Sequence, residues 1–361
     1  FFFERISMKN RLVQIGILLL VILMAVGFGM AIATYYMNGD GEDHSGREKV
    51  LEKPMIGFSI DSMVIERWHR DVDIVKTRGE EMGFDVEVVN AYEDGDKQVE
   101  QIRSLIKEGA DALLILPHDK DQLAEVVEEA KKQGIIVIAY DRLIANANVD
   151  AYVSFDNMAV GEVLAKGIMA EVPSGNFVII NGAPSDNNST MIHEGFYNVL
   201  QPQIDSGMIT VIHELWAEDW REEYAYNAVR RLMEDGVQVD AIICANDLLA
   251  EGAISALSEY GQAGVIPVVG QDANISACQR IVEGKQLMTV YKPLKNLAEG
   301  SVELIYALLQ KESIVESDSI NDGSYDVPYV KLEVIPVNAG NMRETVIKDF
   351  FHNEEDVYRS E

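Results

Sequence analysis

Basic residues are scarce in this 361-residue chain: Lys and Arg together number 30 against 60 Asp and Glu, a formal net charge of −30. Nucleic acid is excluded as a partner, because binding phosphates needs clustered Lys and Arg. An anionic membrane surface is a poor partner for the same reason, whereas a neutral ligand is indifferent to such a field. Cysteine is almost missing: Cys244 and Cys278 cannot make a disulfide framework or a clustered thiolate metal site. Both read as buried thiols, since free Cys packs as a small hydrophobe. Nucleotide and metal motifs are missing too. Where a dinucleotide fold wants G-x-G-x-x-G after its first strand, the chain has Gly57-Phe58-Ser59-Ile60-Asp61. There is no phosphate loop, no H-E-x-x-H pair and no G-x-S-x-G nucleophile elbow. The six His (His44, His69, His118, His193, His213 and His352) are scattered and read as surface or hydrogen-bonded polar residues. No cofactor, no metal and no catalysis are expected. The enzymatic reading hardest to dismiss is a glycoside hydrolase, because Asp61, Asp141 and Asp272 could face one cleft. Their neighbours suit hydrogen bonding to hydroxyls better than bond cleavage, and hydrolysis is the least favoured reading.

What is present begins with an apolar run. Ile15 to Tyr35 carries no charge, and about 20 apolar residues suffice to span a bilayer core. Arg5, Lys9 and Arg11 precede it, while Asp40, Glu42 and Asp43 follow. The positive-inside rule puts the N-terminus in the cytoplasm and everything after Met37 outside. Ala31-Ile32-Ala33 resembles a signal-peptide cleavage site, but the run is long for a signal h-region, so an uncleaved anchor is expected over residues 1–37. Both readings export the rest of the chain. Residues 38–53 are polar and Gly-containing, as in a flexible linker.

From Met55 onward, short apolar runs alternate with amphipathic stretches. Candidate strands are Met55–Ile60, Val86–Asn90, Ala112–Leu116, Ile135–Tyr140, Phe177–Asn181, Ile209–Leu215, Ala241–Ala245 and Val265–Gly270. Gly83, Gly109, Gly134, Gly236 and Gly261 each close a helical stretch just before an apolar run, the position where a left-handed residue ends a helix. Continuous apolar strands separated by helices mean parallel sheets covered on both faces, an α/β fold. About a dozen strands are more than one such sheet holds comfortably, so two lobes are expected. Polar residues gather just after the strands: Asp61, Asp141-Arg142, Asp186 to Asn188, Asn246-Asp247 and Gln271-Asp272. Ligands of open α/β sheets bind beyond the carboxyl ends of the strands, so one ligand between two lobes is expected.

A small polyhydroxylated ring needs aromatic faces for its C–H surfaces and planar charged or amide groups for its hydroxyls. Glu66-Arg67-Trp68 offers both kinds together. A Trp on a helix face reads by itself as core, and Trp216 and Trp220 pose the same question. Asp141-Arg142 reads by itself as a structural ion pair. The ordered set carries more weight. Ile65-Glu66-Arg67-Trp68, Ala139-Tyr140-Asp141-Arg142, Ser154-Phe155-Asp156-Asn157 and Asp186-Asn187-Asn188 appear in turn, followed by Asp219-Trp220, Ala245-Asn246-Asp247, Gly270-Gln271-Asp272 and Val290-Tyr291-Lys292-Pro293. Together they closely resemble the D-xylose-binding proteins, within the ribose/galactose class of periplasmic binding proteins, over about Met55 to Phe351.

The resemblance implies two Rossmann-like lobes of the periplasmic-binding-protein type I fold, joined by a three-strand hinge and closing on D-xylose or a similar pentose. It implies one lobe of residues 54–155 with 293–326, another of 156–292 with 327–341, and a tail of 342–361. Carried over by position, the ring would lie between Trp68 and Trp220. Arg67, Arg142, Asn188, Asn246, Asp272 and Lys292 would bind its hydroxyls, with Asp141 orienting Arg142 or binding directly. Asp156 and Asn157 would serve the hinge. The apparently uncleaved N-terminal helix departs from the usual soluble or lipid-anchored relatives. It looks like the membrane-anchored sensors that partner a two-component histidine kinase, so sensing is the expected role and delivery to an ABC permease the alternative. A repressor of the same fold would need a DNA-binding helix-turn-helix where the apolar run stands.

Overall fold

The computed structural model describes residues 53–314 and 318–359. The expected anchor, and all of the linker before Lys53, lie outside the described residues. Among the described residues no helix is long and apolar enough to cross a membrane.

The first half alternates as β1 (Met55–Ile60), α1 (Arg67–Glu81), β2 (Asp85–Asn90), α2 (Gly95–Glu108), β3 (Ala112–Leu116), α3 (Ala124–Lys132), β4 (Ile136–Tyr140) and β5 (Ala151–Phe155). The second half continues through α4 (Asn157–Glu171), β6 (Gly175–Asn181), α5 (Asn187–Asp205), β7 (Ile209–Trp216), α6 (Glu222–Glu234), β8 (Ala241–Cys244), α7 (Asp247–Glu259), β9 (Val268–Gln271), α8 (Ile275–Val282) and β10 (Met288–Tyr291). Then come α9 (Leu294–Leu309), β11 (Asp318–Asn321), β12 (Asp326–Leu332), β13 (Ile335–Val337) and a short α10 (Glu354–Val357).

These strands build two sheets, a seven-stranded one in the order β11-β12-β5-β4-β3-β1-β2 and a six-stranded one in the order β13-β10-β9-β8-β6-β7. Pairing is parallel throughout except at one edge of each, where β11 runs against β12 and β13 against β10. The apolar run of β3, Ala-Leu-Leu-Ile-Leu, is buried at every residue, as a strand covered on both faces requires. The five expected helix-ending glycines all have positive φ, between 64° and 95°. Among the described residues no heavy atom stands near where their Cβ would be, so the backbone angle, not crowding, selects glycine there.

The chain passes between the sheets three times: after Phe155, after Lys292 and after Leu332. The third passage corrects one boundary. Val327–Leu332 was expected in the second lobe, yet β12 pairs with β5 in the first sheet, and only β13 joins the second. The alternation of Val327, Tyr329 and the half-buried residues between them fits a strand beside β5, and the sequence offers no mark that separates it from β13. The strand expected from Val265 begins three residues later, after Pro267, which has no N–H to give a ladder. The expected tail packs onto the second lobe over the part described, residues 342–359. Met342, Val346, Phe351 and Val357 are buried against Cys278, Ile281, Tyr291 and Leu294.

Candidate functional site

The nine residues singled out in the sequence, Arg67, Trp68, Asp141, Arg142, Asn188, Trp220, Asn246, Asp272 and Lys292, are all buried, and all line one recess between the two sheets. The fold explains why. Each stands just beyond the carboxyl end of a parallel strand or in the first turn of the helix that follows. Arg67 and Trp68 open α1, and Asp141-Arg142 follow β4. Asp186 caps α5 by accepting from the Asn188 N–H at 2.9 Å, which fixes the direction of Asn188. Asn246 caps α7 by accepting from the Leu249 N–H at 2.8 Å. That bond occupies its carbonyl oxygen and leaves its amide N–H groups to donate elsewhere.

Charges in the recess neutralise one another. The Arg67 guanidinium donates to Asp141 at 2.8 Å and lies 3.8 Å from Asp272 and 3.5 Å from Asp71. Lys292 sits 3.3 Å from the same Asp272 oxygen. Arg142 reaches Asp61 and Asp186, each at 2.8 Å. Burial works against the charge on Arg67, but Asp141, Asp71 and Asp272 outweigh it and raise its pKa above the usual arginine value. Burial pushes Asp141 the opposite way from its cations, and Arg67, Lys292 and Arg142 prevail, holding its carboxyl below the ordinary range. Asp186 is raised by burial despite Arg142. Asp71 is pushed up to about 6 by burial, partly offset by Arg67 and by the hydrogen bond from Tyr140.

Aromatic surface flanks this charge. Arg67 lies 4.4 Å over the Trp68 ring, with Arg142 on the same ring at 5.8 Å. Trp220 comes from the other sheet and donates its indole N–H to Asp186 at 3.2 Å. Among the described residues, buried Trp68 Nε1 and Gln271 Oε1 have no hydrogen-bond partner, while Arg67 Nε and Asp272 Oδ1 meet only the ion-pair contacts above. Such groups cost about 1–3 kcal/mol each while unpaired, so the recess is chemically suited to a ligand rich in hydroxyls. It is narrow as it stands, about 20 Å³. A roomier recess, about 730 Å³, lies elsewhere, between α1, α9 and residues 349–356.

Three contributors were not singled out in the sequence. Asp186 was grouped with its neighbours but not separated as the bridge between Arg142 and Trp220. Gln271 donates to the Ala245 carbonyl at 2.7 Å and ties β9 to the end of β8. Gly182 lets the indole come close, because a Cβ there would stand 2.2 Å from a Trp220 ring carbon; a glycine straight after a strand was its only signal. The carboxylates considered for hydrolysis are divided. Asp141 and Asp272 share Arg67, whereas Asp61 is held between Arg142 and His118.

Residues 56–313 match the family model described as a periplasmic binding protein domain. The chain belongs to the periplasmic binding protein family. This binding protein is 44% identical to the D-xylose-binding periplasmic protein of Haemophilus influenzae over 304 residues, 84% of this chain and 92% of the relative. It is 40% identical to the D-xylose-binding periplasmic protein of Escherichia coli over 303 residues, with the same coverage. Among solved structures, an ABC transporter solute-binding protein from Clostridium phytofermentans with bound β-D-glucose superposes with a TM-score of 0.78 at 28% identity, covering 84% of this chain and 99% of that one. The family is one of binding proteins and not of enzymes.

Proposed function

We propose that this binding protein captures D-xylose, or a closely similar pentopyranose, between its two lobes on the outer side of the membrane. The observation that carries the reading is the pairing of Trp68 from one lobe with Trp220 from the other around buried guanidinium, carboxylate and amide groups. The two D-xylose-binding relatives support the same choice of sugar. In this reading the indoles cover the ring faces, and Arg67, Arg142, Asn188, Asn246, Asp272 and Lys292 take the hydroxyls. Asp141 aligns Arg67 and Asn188, whose amide donates to the Asp141 carbonyl at 2.9 Å. A ring of about ten heavy atoms enters the narrow recess only if the lobes part to admit it and then close again around it. A micromolar dissociation constant is about −8 kcal/mol, well inside what so small a ligand can supply. Calorimetry with D-xylose, ribose, arabinose and glucose tests the proposal. Xylose should bind most tightly and glucose, with its extra hydroxymethyl, more weakly; no heat from any of the four refutes it.

Two fates of the bound sugar follow from different observations. Similarity to an ABC transporter solute-binding protein supports delivery to a permease. The uncharged run Ile15–Tyr35, with Arg and Lys before it and Asp and Glu after, supports a membrane-tethered sensor beside a histidine kinase. Deleting the gene separates them. A sensor is lost as failure of xylose to induce transport genes even when xylose enters by another route. A transport component is lost as failed uptake with induction intact.

A further inference from the structure

The turn that carries Asp272 is backbone-strained. Asp272 and Ala273 have φ of 95° and 52°, a region costly for residues other than glycine that persists only where the surroundings enforce it. Two grips enforce it here. The Ala273 N–H donates to Thr289 Oγ1 at 3.1 Å, and Thr289 in turn donates to Asp247 at 2.8 Å. On the other side, the Ala273 carbonyl oxygen lies 2.7 Å from His352 Nε2. His352 belongs to the C-terminal segment and is buried.

The opposite ring nitrogen of His352 faces the other lobe. His352 Nδ1 lies 3.1 Å from Arg70 Nη2, and Arg70 Nη1 donates to the Phe351 carbonyl. Arg70 is one turn beyond Arg67 and Trp68 on α1, and its guanidinium stacks 4.4 Å over the Phe351 ring. A guanidinium can only donate. Nδ1 must therefore accept, and Nε2 carries the hydrogen that goes to the Ala273 carbonyl. Both bonds need one neutral tautomer.

We propose that His352 is a positioning residue for the sugar site, joining the α1 turn that bears Arg67 and Trp68 to the Asp272 turn of the other lobe. The proposal rests on the sugar-binding reading. The groups facing the ring are Arg70 on α1, Glu66 just before it, Asp356 on α10 and the Ala273 carbonyl. Burial first and Arg70 next lower its pKa below the usual histidine value, against the opposing pull of Ala273, Glu66 and Asp356. The ring is therefore neutral at pH 7 and keeps both bonds. As pH falls through that lowered value, Nδ1 gains a proton facing a guanidinium and the tie fails.

Two substitutions on the full-length chain test this. His352→Gln retains a donor toward Ala273 and an acceptor toward Arg70, whereas His352→Leu has neither. At pH 7.5, H352Q should bind D-xylose within about threefold of wild type and H352L about tenfold more weakly, the size of one lost hydrogen bond. As pH falls below 6.5 and through the lowered value, wild type should lose affinity more steeply than H352Q, other titrating groups being common to both. Identical pH profiles for wild type and H352Q, or wild-type affinity in H352L, overturn the proposal. If wild type binds no sugar, the capture reading fails separately, and amide exchange decides this one. H352L should speed exchange at Ala273 and Asn274 by about tenfold without changing α4; equal exchange overturns it. A melting curve for each variant establishes that it is folded.

Discussion

At the scale of single residues, the recess combines two kinds of interaction that fail differently when altered. Trp68→Ala and Trp220→Ala each remove an aromatic face; stacking contributes about 0.5–1.5 kcal/mol beyond the area buried. Each should weaken xylose binding by at least about tenfold in calorimetry, and unchanged affinity in both would remove the indoles from the site. Gly182→Ala adds one methyl 2.2–2.4 Å from three Trp220 ring carbons, so the indole must move. Affinity should fall about as far as in Trp220→Ala, although nothing that touches the sugar has been replaced. His118 offers a pH handle on stability. Its ring lies 2.8 Å from Asp61, and this hydrogen bond outweighs burial to raise its pKa. A histidine raised on folding contributes stability that is fully present below its unfolded value of about 6.5 and is lost as pH rises through the folded value. The melting-temperature gap between wild type and His118→Gln should therefore be widest below pH 6.5 and shrink as pH rises through the raised value. A gap that grows with pH would contradict the Asp61 pairing.

At the scale of elements, what was legible in the sequence is what local physics writes there. The eight candidate strands were visible because each is a short apolar run closed by glycine or polar residues, and eight strands stand at those places. β5 was harder to see, because Ala151–Phe155 includes Ser154 and follows a polar loop. It becomes a buried strand only through its partners β4 and β12. The site was unusually legible, since a parallel strand delivers the residue after its last apolar position to the cleft. Asp141 and Asn246 stand at that position, and Arg142 and Asp272 follow within one residue of it. Gly182 and His352 were not legible, because a close approach and a contact across more than seventy residues leave no local mark. The junction of β5 and α4 carries its own prediction. Asp156 caps α4 through the Ala159 N–H at 2.9 Å, and its own N–H donates to the Leu332 carbonyl at 2.8 Å where the chain crosses again. Asp156→Ala should cost about 0.5–2 kcal/mol, read as a lower urea midpoint. Because the cap sits where the chain changes lobes, sugar affinity should shift as well.

At the scale of the whole molecule, the lobes touch through bonds that also belong to the recess. Arg142 meets Asp186, Asn188 meets Asp141 and Tyr152, and the backbone of Lys120 donates to Ser185 at 3.2 Å. Closure is therefore a competition between protein–protein and protein–sugar bonds at one place. Xylose should reduce the radius of gyration in small-angle scattering; an unchanged radius would mean that the lobes are already together without it. The two cysteines bear on how such motion can be followed. Cys244 and Cys278 are both fully buried, and burial pushes both thiols well above the ordinary range, so neither is a ready nucleophile. A third thiol placed at the cleft rim, as in Val64→Cys at a position 57% exposed, would be the one an alkylating dye finds. With a polarity-sensitive fluorophore there, the closing lobes would change its emission, and the native scaffold would serve as a reagentless optical gauge of pentose concentration.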